Sequence, residues 1–339
     1  MEIREVSNRK FYELLTSSST FIHGFQLWSY GEVKKLYGWS PKRFIIYHND
    51  KIIGYFQLLV KDIFRIKLGI VPFGPVLLEN INSYTDAEKF QVCFKNLFKK
   101  EKVFFLLLHP YFDDNLNWLF SVFPVIDRGI GYCYTYIIDL QDSLDSIFGR
   151  FSPISRNKIR KSLKEDVLKI ECSNTEELYV RFYSLIKEAI ERTKGSYPPL
   201  DFFVRIKKEM GDIGNAIVFI SSFKDRDVSG ILLLSTGKTL VYQWAALTND
   251  ERFMRLHSQR RLIYEAIKWA KQEGYYYFDF GGVSLDQPKR TKKWGIWFFK
   301  RSFGGKLMKM SGSFILSGDQ FITRLMVNLY RYYRGFLYN

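Results

Sequence analysis

The chain has few cysteines and histidines, and they show no pattern that would build a metal centre. Cys93, Cys133 and Cys172 are widely spaced and form no Cys-x-x-Cys pair, which argues against a disulfide framework and a thiolate zinc site. The four histidines show neither His-x-His nor His-Glu-x-x-His spacing. We therefore expect no metal and a reducing, cytoplasmic environment.

Long apolar runs are also missing. The longest run, residues 103–108, is far too short to cross a bilayer, and the amino terminus mixes charges of both signs without the apolar stretch of a signal peptide. The sequence predicts a soluble protein, or one that makes only peripheral contact with the inner face of a membrane.

Apolar and aromatic side chains, by contrast, are abundant. Of the 339 residues, 47% are apolar and 18% are aromatic, which is enough to bury one large core or two ordinary ones and excludes disorder for most of the chain. Strand-like segments rich in β-branched and aromatic residues alternate with segments whose apolar residues return every three or four positions. This pattern predicts an α/β (α+β) fold, with one long helix over 143–164.

The two halves of the chain repeat one order of elements. Each has a strand, a hairpin turn, further strands, a helix and another strand; the turns are at 49–50 and 224–227, and the helices start near Thr85 and Ser258. This order predicts a duplicated α/β unit. Because the sequence becomes strongly basic near residue 150, we place one domain at 1–149 together with a last helix in 312–339, and the other domain at 150–311.

The formal net charge of +16 is concentrated in two stretches. Residues 150–169 hold seven Lys and Arg against two acidic residues, and 286–309 hold eight against one, so these stretches carry +12 of the +16. In the second stretch cations alternate with aromatics, which suits a partner with phosphates and stackable rings, either RNA or a nucleotide sugar, better than duplex DNA. The alternative is a solvated basic face beside a buried aromatic strand. The candidate phosphate-binding cations are Arg156, Lys158, Arg160, Lys161, Lys292, Lys293 and Arg301.

Two glycine pairs flank the second basic stretch. Tyr-Phe-Asp-Phe-Gly-Gly at 277–282 and Phe-Lys-Arg-Ser-Phe-Gly-Gly at 299–305 each allow a sharp turn, because glycine adopts positive φ freely. A protein-kinase assignment for the Asp-Phe-Gly triplet is rejected, since the chain has no His-Arg-Asp, no Val-Ala-Ile-Lys and no glycine-rich phosphate loop. The turn residues are predicted to be Asp279, Gly281, Gly282, Gly304 and Gly305.

These motifs, in order along the chain, resemble the FemABX aminoacyltransferases, which build peptidoglycan interpeptide bridges from aminoacyl-tRNA. The resemblance rests on 28–34 and 38–39, Pro-Phe-Gly-Pro-Val at 72–76, the basic segment 155–167, and the two glycine motifs. It extends from about residue 25 to 305. It implies two tandem GNAT-like acyltransferase domains with mixed sheets flanked by helices, without the helical arm that some members carry.

The resemblance also implies a reaction. An amine of the stem peptide of a lipid-linked or nucleotide-linked peptidoglycan precursor attacks the ester carbonyl of aminoacyl-tRNA, with no covalent enzyme intermediate and no cofactor. The protein then has to align the reactants and stabilise the oxyanion. Lys300 matches the lysine expected near the oxyanion, and Phe299 would pack against the terminal adenosine or the core. Lys300 could instead be a phosphate anchor or an exposed lysine.

Further residues follow from the same resemblance. Lys34 and Arg192 fall where the family binds the diphosphate of the precursor, with Lys35 and Lys194 as alternatives. Tyr197 and Tyr242 are candidates for the precursor channel, although aromatics in such positions are commonly core residues.

Two other functions stay open. One is a GNAT-like N-acyltransferase that uses a thioester donor on a surface polysaccharide or lipid-linked glycan. Residues 255–259, where the helix from Ser258 begins, contain no glycine-rich loop of the kind that binds a pyrophosphate. This absence counts against acetyl-CoA as the donor. The other is a non-catalytic adaptor that binds RNA or an anionic membrane.

Overall fold

The computed structural model describes residues 1–19, 22–63, 66–79, 83–111, 134–193, 197–285, 288–310 and 313–317, and the side chains of all of these except 192 and 193. The chain divides into two compact units, Met1–Cys133 with Lys309–Asn339, and Tyr134–Met308. The helix predicted near the carboxyl terminus lies outside the described residues. Within the described part, no helix is both long and apolar enough to cross a membrane.

The first unit is a mixed sheet with helices packed against it. Its strands are β1 (Glu2–Glu5), β2 (Ser40–His48), β3 (Lys51–Ile63), β4 (Ile66–Phe73), β5 (Val76–Leu77), β6 (Phe105–Pro110) and β14 (Phe314–Ser317). Its helices are α1 (Arg9–Ser18), α2 (Trp28–Lys35) and α3 (Tyr84–Lys100), with a 3-10 turn at Gly24–Gln26.

The strand order of the first sheet is β1-β2-β3-β4-β6-β14, and β5 pairs with β3. β4 and β6 run parallel, whereas the other neighbours are antiparallel. The core lies between the sheet and α3, where Phe94 packs on Phe56 and Phe90 packs on Phe94. The β2–β3 hairpin turns through Asn49 and Asp50, both at positive φ, as the tight right-twisted hairpin requires.

The second unit repeats this plan. Its strands are β7 (Tyr134–Asp139), β8 (Lys169–Ser173), β9 (Ala216–Phe223), β10 (Arg226–Thr236), β11 (Thr239–Leu247), β12 (Tyr277–Val283) and β13 (Lys306–Lys309). Its helices are α4 (Leu144–Gly149), α5 (Pro153–Glu165), α6 (Glu176–Thr193), α7 (Leu200–Glu209), α8 (Ser258–Gln272) and α9 (Lys292–Arg301), with 3-10 turns at Gly211–Ile213 and Glu251–Leu256.

The strand order of the second sheet is β13-β7-β12-β11-β10-β9-β8, with β11 and β12 parallel. The apolar stripe of α8, formed by Leu262, Ile263, Ala266 and Ile267, belongs to its core. The hairpin between β9 and β10 turns through Lys224 and Asp225, again with both residues at positive φ. Both sheets thus share a hairpin, a parallel pair and one further antiparallel strand beyond that pair, which is β14 in the first unit and β7 in the second.

The structure corrects two expectations about chain organisation. Residues 134–149 lie in the second unit and not in the first, because β7 pairs with β12 of the second sheet while β14 takes the corresponding place beside β6. The single helix expected over 143–164 is two helices. α4 ends at Gly149, and Ser152 caps a new helix whose first residue, Pro153, has no N–H to donate to a preceding turn.

Candidate active site

The candidate site of the second unit is built on an irregularity in β12. The register between β12 and β7 shifts between Asp279 and Gly282, and Gly281 adopts a φ of +68°. The carboxylate of Asp279 is fully buried; its Oδ1 accepts hydrogen bonds from the Gly281 N–H at 2.7 Å and from the Thr135 hydroxyl. The buried carboxylate therefore holds the bulge open, and the Gly281 and Gly282 carbonyls turn toward α9.

Lys300 meets those two carbonyls. It lies near the end of α9, and its Nζ donates to Gly281 O at 3.2 Å and to Gly282 O at 3.0 Å. An ammonium has three N–H donors, so one remains for another acceptor. Burial lowers the pKa of Lys300 to about 8, and the negative charge of Asp279 partly opposes that shift. The site thus presents an oriented cation whose free N–H can meet a developing negative charge.

Tyr242, on β11, lies beside this lysine. Its ring centroid is 5.8 Å from Lys300 Nζ, and its hydroxyl accepts a hydrogen bond from Gln259 Nε2 at 3.1 Å. Burial raises the pKa of Tyr242 well above its usual range, and the nearby phenol of Tyr197 adds to the shift. The structure therefore brings Lys300, Tyr242 and Tyr197 together, with Gln259 as an unforeseen neighbour.

Arg260, on α8, was not predicted from the sequence. Its Nη1 donates to Ser155 Oγ at 2.6 Å and to Ser302 Oγ at 2.7 Å, and its guanidinium carbon lies 4.9 Å from the ring centroid of Phe299. Burial lowers the pKa of Arg260. None of the described carboxylates pairs with it. Two arginines directly after the predicted helix start were the signal available in the sequence.

A pocket of about 130 Å³ opens at the amino end of α8. The amino end of α8 follows His257, which has a φ of 54° and provides no side-chain cap, so the first N–H groups of the helix have no side-chain acceptor from that residue. The pKa of His257 is lowered by burial and by the charges of Lys158, Lys161 and Arg260. A helix amino terminus among several cations favours an anion. The pocket at this helix end is lined in part by Leu247, Phe253, Met254, Ser258, Gln259 and Phe299.

The four candidate cations of α5 have different surroundings. Arg156 Nη1 donates to Gly149 O at 2.6 Å and to Phe151 O at 2.5 Å, so this residue holds the end of α4. Arg160 stacks over Phe148 at 5.4 Å. The charges of Lys158 and Lys161 contribute to the lowered pKa of His257. Lys161 Nζ also lies 3.8 Å from Glu165 Oε1. Only the two lysines therefore extend the positive region of the pocket.

On α9, Lys292, Lys293 and Arg301 are exposed. The segment that contains them, α9, is a helix and not the buried aromatic strand of the alternative interpretation. The second glycine pair has a packing role. A Cβ on Gly304, whose φ is +68°, would lie 2.0 Å from Arg150 O, and one on Gly305 would lie 3.0 Å from Ile137 O. Both glycines allow the chain after α9 to pass close to neighbouring backbone.

The first unit contains a second unusual lysine. Lys34, in the last turn of α2, is only 1% exposed, and its Nζ has no hydrogen-bond partner among the described residues. It lies 5.6 Å from the ring centroid of Tyr37 and 5.8 Å from that of Trp39. Burial, followed by repulsion from Lys61, lowers the pKa of Lys34 to about 7.

The alternatives to these precursor-side residues differ in what the structure says of them. Lys35 is exposed and its Nζ lies 2.5 Å from Glu32 Oε2, so its charge already has a partner. The side chain of Arg192, and Lys194 as a whole, lie outside the described residues. In the described part of the chain, no three His, Cys, Asp or Glu side chains converge as metal ligands would.

Comparison with known proteins agrees with this architecture. Residues 153–294 match the family described as acetyltransferase (GNAT) domain. The chain is 24% identical to the lipid II:glycine glycyltransferase of Staphylococcus haemolyticus (strain JCSC1435), over 85% of this chain and 86% of the relative. It is 22% identical to the enzyme of the same name from Staphylococcus aureus (strain MRSA252), over 93% and 92% of the two chains.

Solved structures show the same fold. The crystal structure of FemX superposes with a TM-score of 0.82 at 19% identity, covering 96% of this chain and 100% of FemX. A tandem GNAT protein from the clavulanic acid biosynthesis pathway superposes with a TM-score of 0.57 at 7% identity, over 93% and 98% of the two chains. The α/β fold with GNAT-like units expected from the sequence is confirmed, and the lipid II:glycine glycyltransferase relatives support the resemblance to the FemABX aminoacyltransferases.

Proposed function

We propose that the chain transfers an amino acid from aminoacyl-tRNA to an amine on the stem peptide of a peptidoglycan precursor, and so forms an interpeptide bridge. The observation that carries the proposal is the Lys300 ammonium, fixed by the carbonyls of Gly281 and Gly282 with one N–H left over. The relatives named lipid II:glycine glycyltransferase favour glycine as the transferred residue and a lipid-linked precursor as the acceptor.

The chemistry needs little from the protein beyond position and charge. The amine nitrogen bonds to the ester carbonyl carbon, the carbonyl oxygen becomes an oxyanion, and the ribose oxygen then leaves with the proton that the amine gives up. The free N–H of Lys300 stabilises the oxyanion. The hydrogen bonds from Nζ to the carbonyls of Gly281 and Gly282 fix the position of the ammonium. With a pKa near 8, the lysine is mostly protonated at neutral pH.

The donor side is supported by the positive region around α8. Phosphates of the tRNA acceptor end can bind at the amino end of α8, which has no side-chain cap. Arg260, which pairs with none of the described carboxylates, and Lys158 and Lys161 supply positive charge there. Lys292, Lys293 and Arg301 extend this region along α9. Phe299, which contacts Arg260 and lines the pocket, would pack against the terminal adenosine.

The acceptor side is supported by Lys34. A buried ammonium without a hydrogen-bond partner in the described chain is costly, and a diphosphate oxygen would satisfy it. Ser29 Oγ and Trp39 Nε1 are likewise buried without partners among the described residues. We assign the diphosphate of the precursor to this cluster of the first unit, and we place the enzyme at the inner face of the membrane that carries a lipid-linked acceptor.

The test is a transfer assay with purified lipid-linked precursor and radiolabelled glycyl-tRNA. We expect labelled precursor to form, and we expect ribonuclease treatment of the donor to abolish it. A parallel reaction with acetyl-CoA should give no product. Transfer from the thioester with indifference to ribonuclease would contradict the proposal in favour of a thioester-dependent N-acyltransferase, and salt-sensitive RNA binding without any product would favour an adaptor.

A further inference from the structure

The outer face of α9 has an aromatic surface that the proposed chemistry does not use. The rings of Trp294 and Phe298 are stacked, with centroids 5.1 Å apart and planes inclined by 15°. Phe298 is 40% exposed and Trp294 is partly exposed. The other two aromatics of this helix, Trp297 and Phe299, instead pack against the core of the second unit. We call Trp294 and Phe298 the aromatic platform.

The platform has cations at both ends. With about 100° of rotation per residue, Trp294 and Phe298 lie about 40° apart around the helix, and Arg301 lies about 20° from Trp294. Lys292 and Lys293 occupy the first turn of α9, which contains no acidic residue. Two positive charges at the positive end of a helix are unfavourable unless an anion neutralises them.

In the described part of the chain these cations lack carboxylate partners, and Arg301 lies over the ring of Trp297, 5.2 Å from its centroid. Among the residues that the structure describes, none of Lys289, Arg290, Lys292, Lys293 and Arg301 forms an ion pair. The unsatisfied charge and the exposed rings are thus two separate features on one face of α9. A partner that fits both has anionic groups spaced along a chain of planar rings.

We infer that the aromatic platform stacks an unpaired base of the donor RNA's single-stranded aminoacyl end, while the cations around it bind the adjoining phosphates. This inference rests on the proposed function, because it takes the donor to be an RNA ester. Lys300 lies on the same helix, about 120° around it from Trp294, so an RNA strand that stacks on the platform has to pass around α9 to bring its ester to the ammonium. The platform positions the donor and takes no part in bond making.

The helix geometry favours RNA over a lipid surface. A helix that lies on a membrane gathers its apolar residues on one face. On α9 the exposed aliphatic residue, Ile296, is 37% exposed but lies about 160° around the helix from both platform rings. The platform face itself has only two rings, and it continues into Arg301. Stacking on a base needs only such a narrow surface.

The experiment compares variants with full and truncated donors. Trp294→Ala and Phe298→Ala should each raise the KM for aminoacyl-tRNA by about 10-fold, the range expected for one stacked base, with kcat unchanged. Trp294→Tyr, which keeps a ring, should restore most of the affinity. The KM for the aminoacyl ester of adenosine alone should not change in any variant, because that donor lacks the preceding bases. Ile296→Ala is the matched control from the other side of α9.

A second arm tests the stacking itself. A donor with abasic sites in place of its unpaired bases before the terminal adenosine should bind the wild-type protein about as weakly as the intact donor binds Trp294→Ala. Combining the two changes should add little, since both remove the same contact. Additive losses, or a KM for intact aminoacyl-tRNA within 2-fold of wild type in both alanine variants, would overturn the inference.

The remaining outcomes are also decisive. If the alanine variants keep their KM for RNA but no longer sediment with vesicles of equal phosphatidylglycerol and phosphatidylcholine, the surface binds membrane and the inference is wrong. If the wild-type protein transfers nothing from aminoacyl-tRNA, the proposed function fails first. Anisotropy of a labelled single-stranded ACCA tetranucleotide then separates the two: binding lost in Trp294→Ala supports the platform, and equal binding overturns it.

Discussion

Lys34 in the first unit and Lys300 in the second are both buried lysines with lowered pKa values, but their surroundings differ. Lys300 donates to two backbone carbonyls and lies near the carboxylate of Asp279, and its pKa is about 8. Lys34 has no hydrogen-bond partner in the described chain and lies near the like charge of Lys61, and its pKa is about 7. The comparison shows that burial alone does not define a lysine's role. Lys300 is held in place by the fold, whereas Lys34 is left for a ligand to satisfy.

The largest effect should come from Lys300→Ala. Removing the fixed ammonium removes the proposed oxyanion contact, so we expect the single-turnover transfer rate to fall about 100- to 1,000-fold, with the KM values for donor and precursor little changed. Lys306→Ala, at an exposed lysine in β13, is the control and should transfer normally. A wild-type rate in Lys300→Ala would leave the lysine as a structural residue only.

Gly281→Ala tests whether the backbone positions that ammonium. At a φ of +68° an alanine is strained by about 1–2 kcal/mol, and its Cβ would lie 3.0 Å from Tyr242 O. We expect about a 10-fold lower kcat as the carbonyl moves. Gly214→Ala has a similar φ of +79° with nothing within 4 Å of its Cβ, so it should lose comparable stability but no activity. Equal kcat values in the two variants would speak against carbonyl positioning.

Lys34→Met tests whether the buried ammonium of Lys34 destabilises the free protein. Replacing an unpaired buried ammonium with an apolar chain should stabilise the protein by about 1–3 kcal/mol while weakening precursor binding. The folded-state pKa of about 7 lies below the ordinary 10.5, so between these values the unfolded chain binds more protons and wild-type stability rises with pH.

The gain from Lys34→Met is therefore largest below pH 7 and shrinks as the pH approaches 10.5. Thermal unfolding at pH 6 and pH 9 measures it. Lys61→Met keeps Lys34 but removes the like charge, so it should raise the pKa of Lys34 and give a smaller stabilisation. A destabilised Lys34→Met would mean that the ammonium is already satisfied in the free protein.

The smallest effect concerns pH. Lys300 acts as a cation, so the transfer rate should fall as the pH rises through about 8. The carboxylate of Asp279 raises the pKa of Lys300, so in Asp279→Asn the fall should begin at lower pH. Asp139→Asn, at an exposed carboxylate in β7, should leave the pH–rate profile in place. Superimposable profiles for wild type and Asp279→Asn would disprove the coupling.

Much of the fold could be predicted from local patterns. The turns at 49–50 and 224–225 and the starts of α3 and α8 lie within a residue or two of their predicted positions, because each depends on neighbours in sequence. The predicted domain boundary was wrong because the partner of β7 is β12, about 140 residues away. The break between α4 and α5 was missed although Ser152-Pro153 signals a helix start.

The candidate site divides in the same way. Lys300, Tyr242 and the Asp279–Gly282 motif could be singled out as residue types in a recognisable order, but their partners could not. Arg260 lies on a different helix from the two serines that it binds, and Arg156 and Arg160 look like free cations in the sequence yet bind the chain itself. Exposure and pairing are set by segments that no local window contains.

The sequence by itself determined the α/β class, the two like halves, the hairpins and the two basic stretches, since periodicity, turn chemistry and charge act over a few residues. Only the tertiary structure decided that β7 and β14 take corresponding places in the two sheets, that Lys300 is held by the β12 bulge, and that Lys34 is buried without a partner in the described chain. The reason is physical: strand pairing and desolvation depend on residues far apart in the chain, which meet only when it folds.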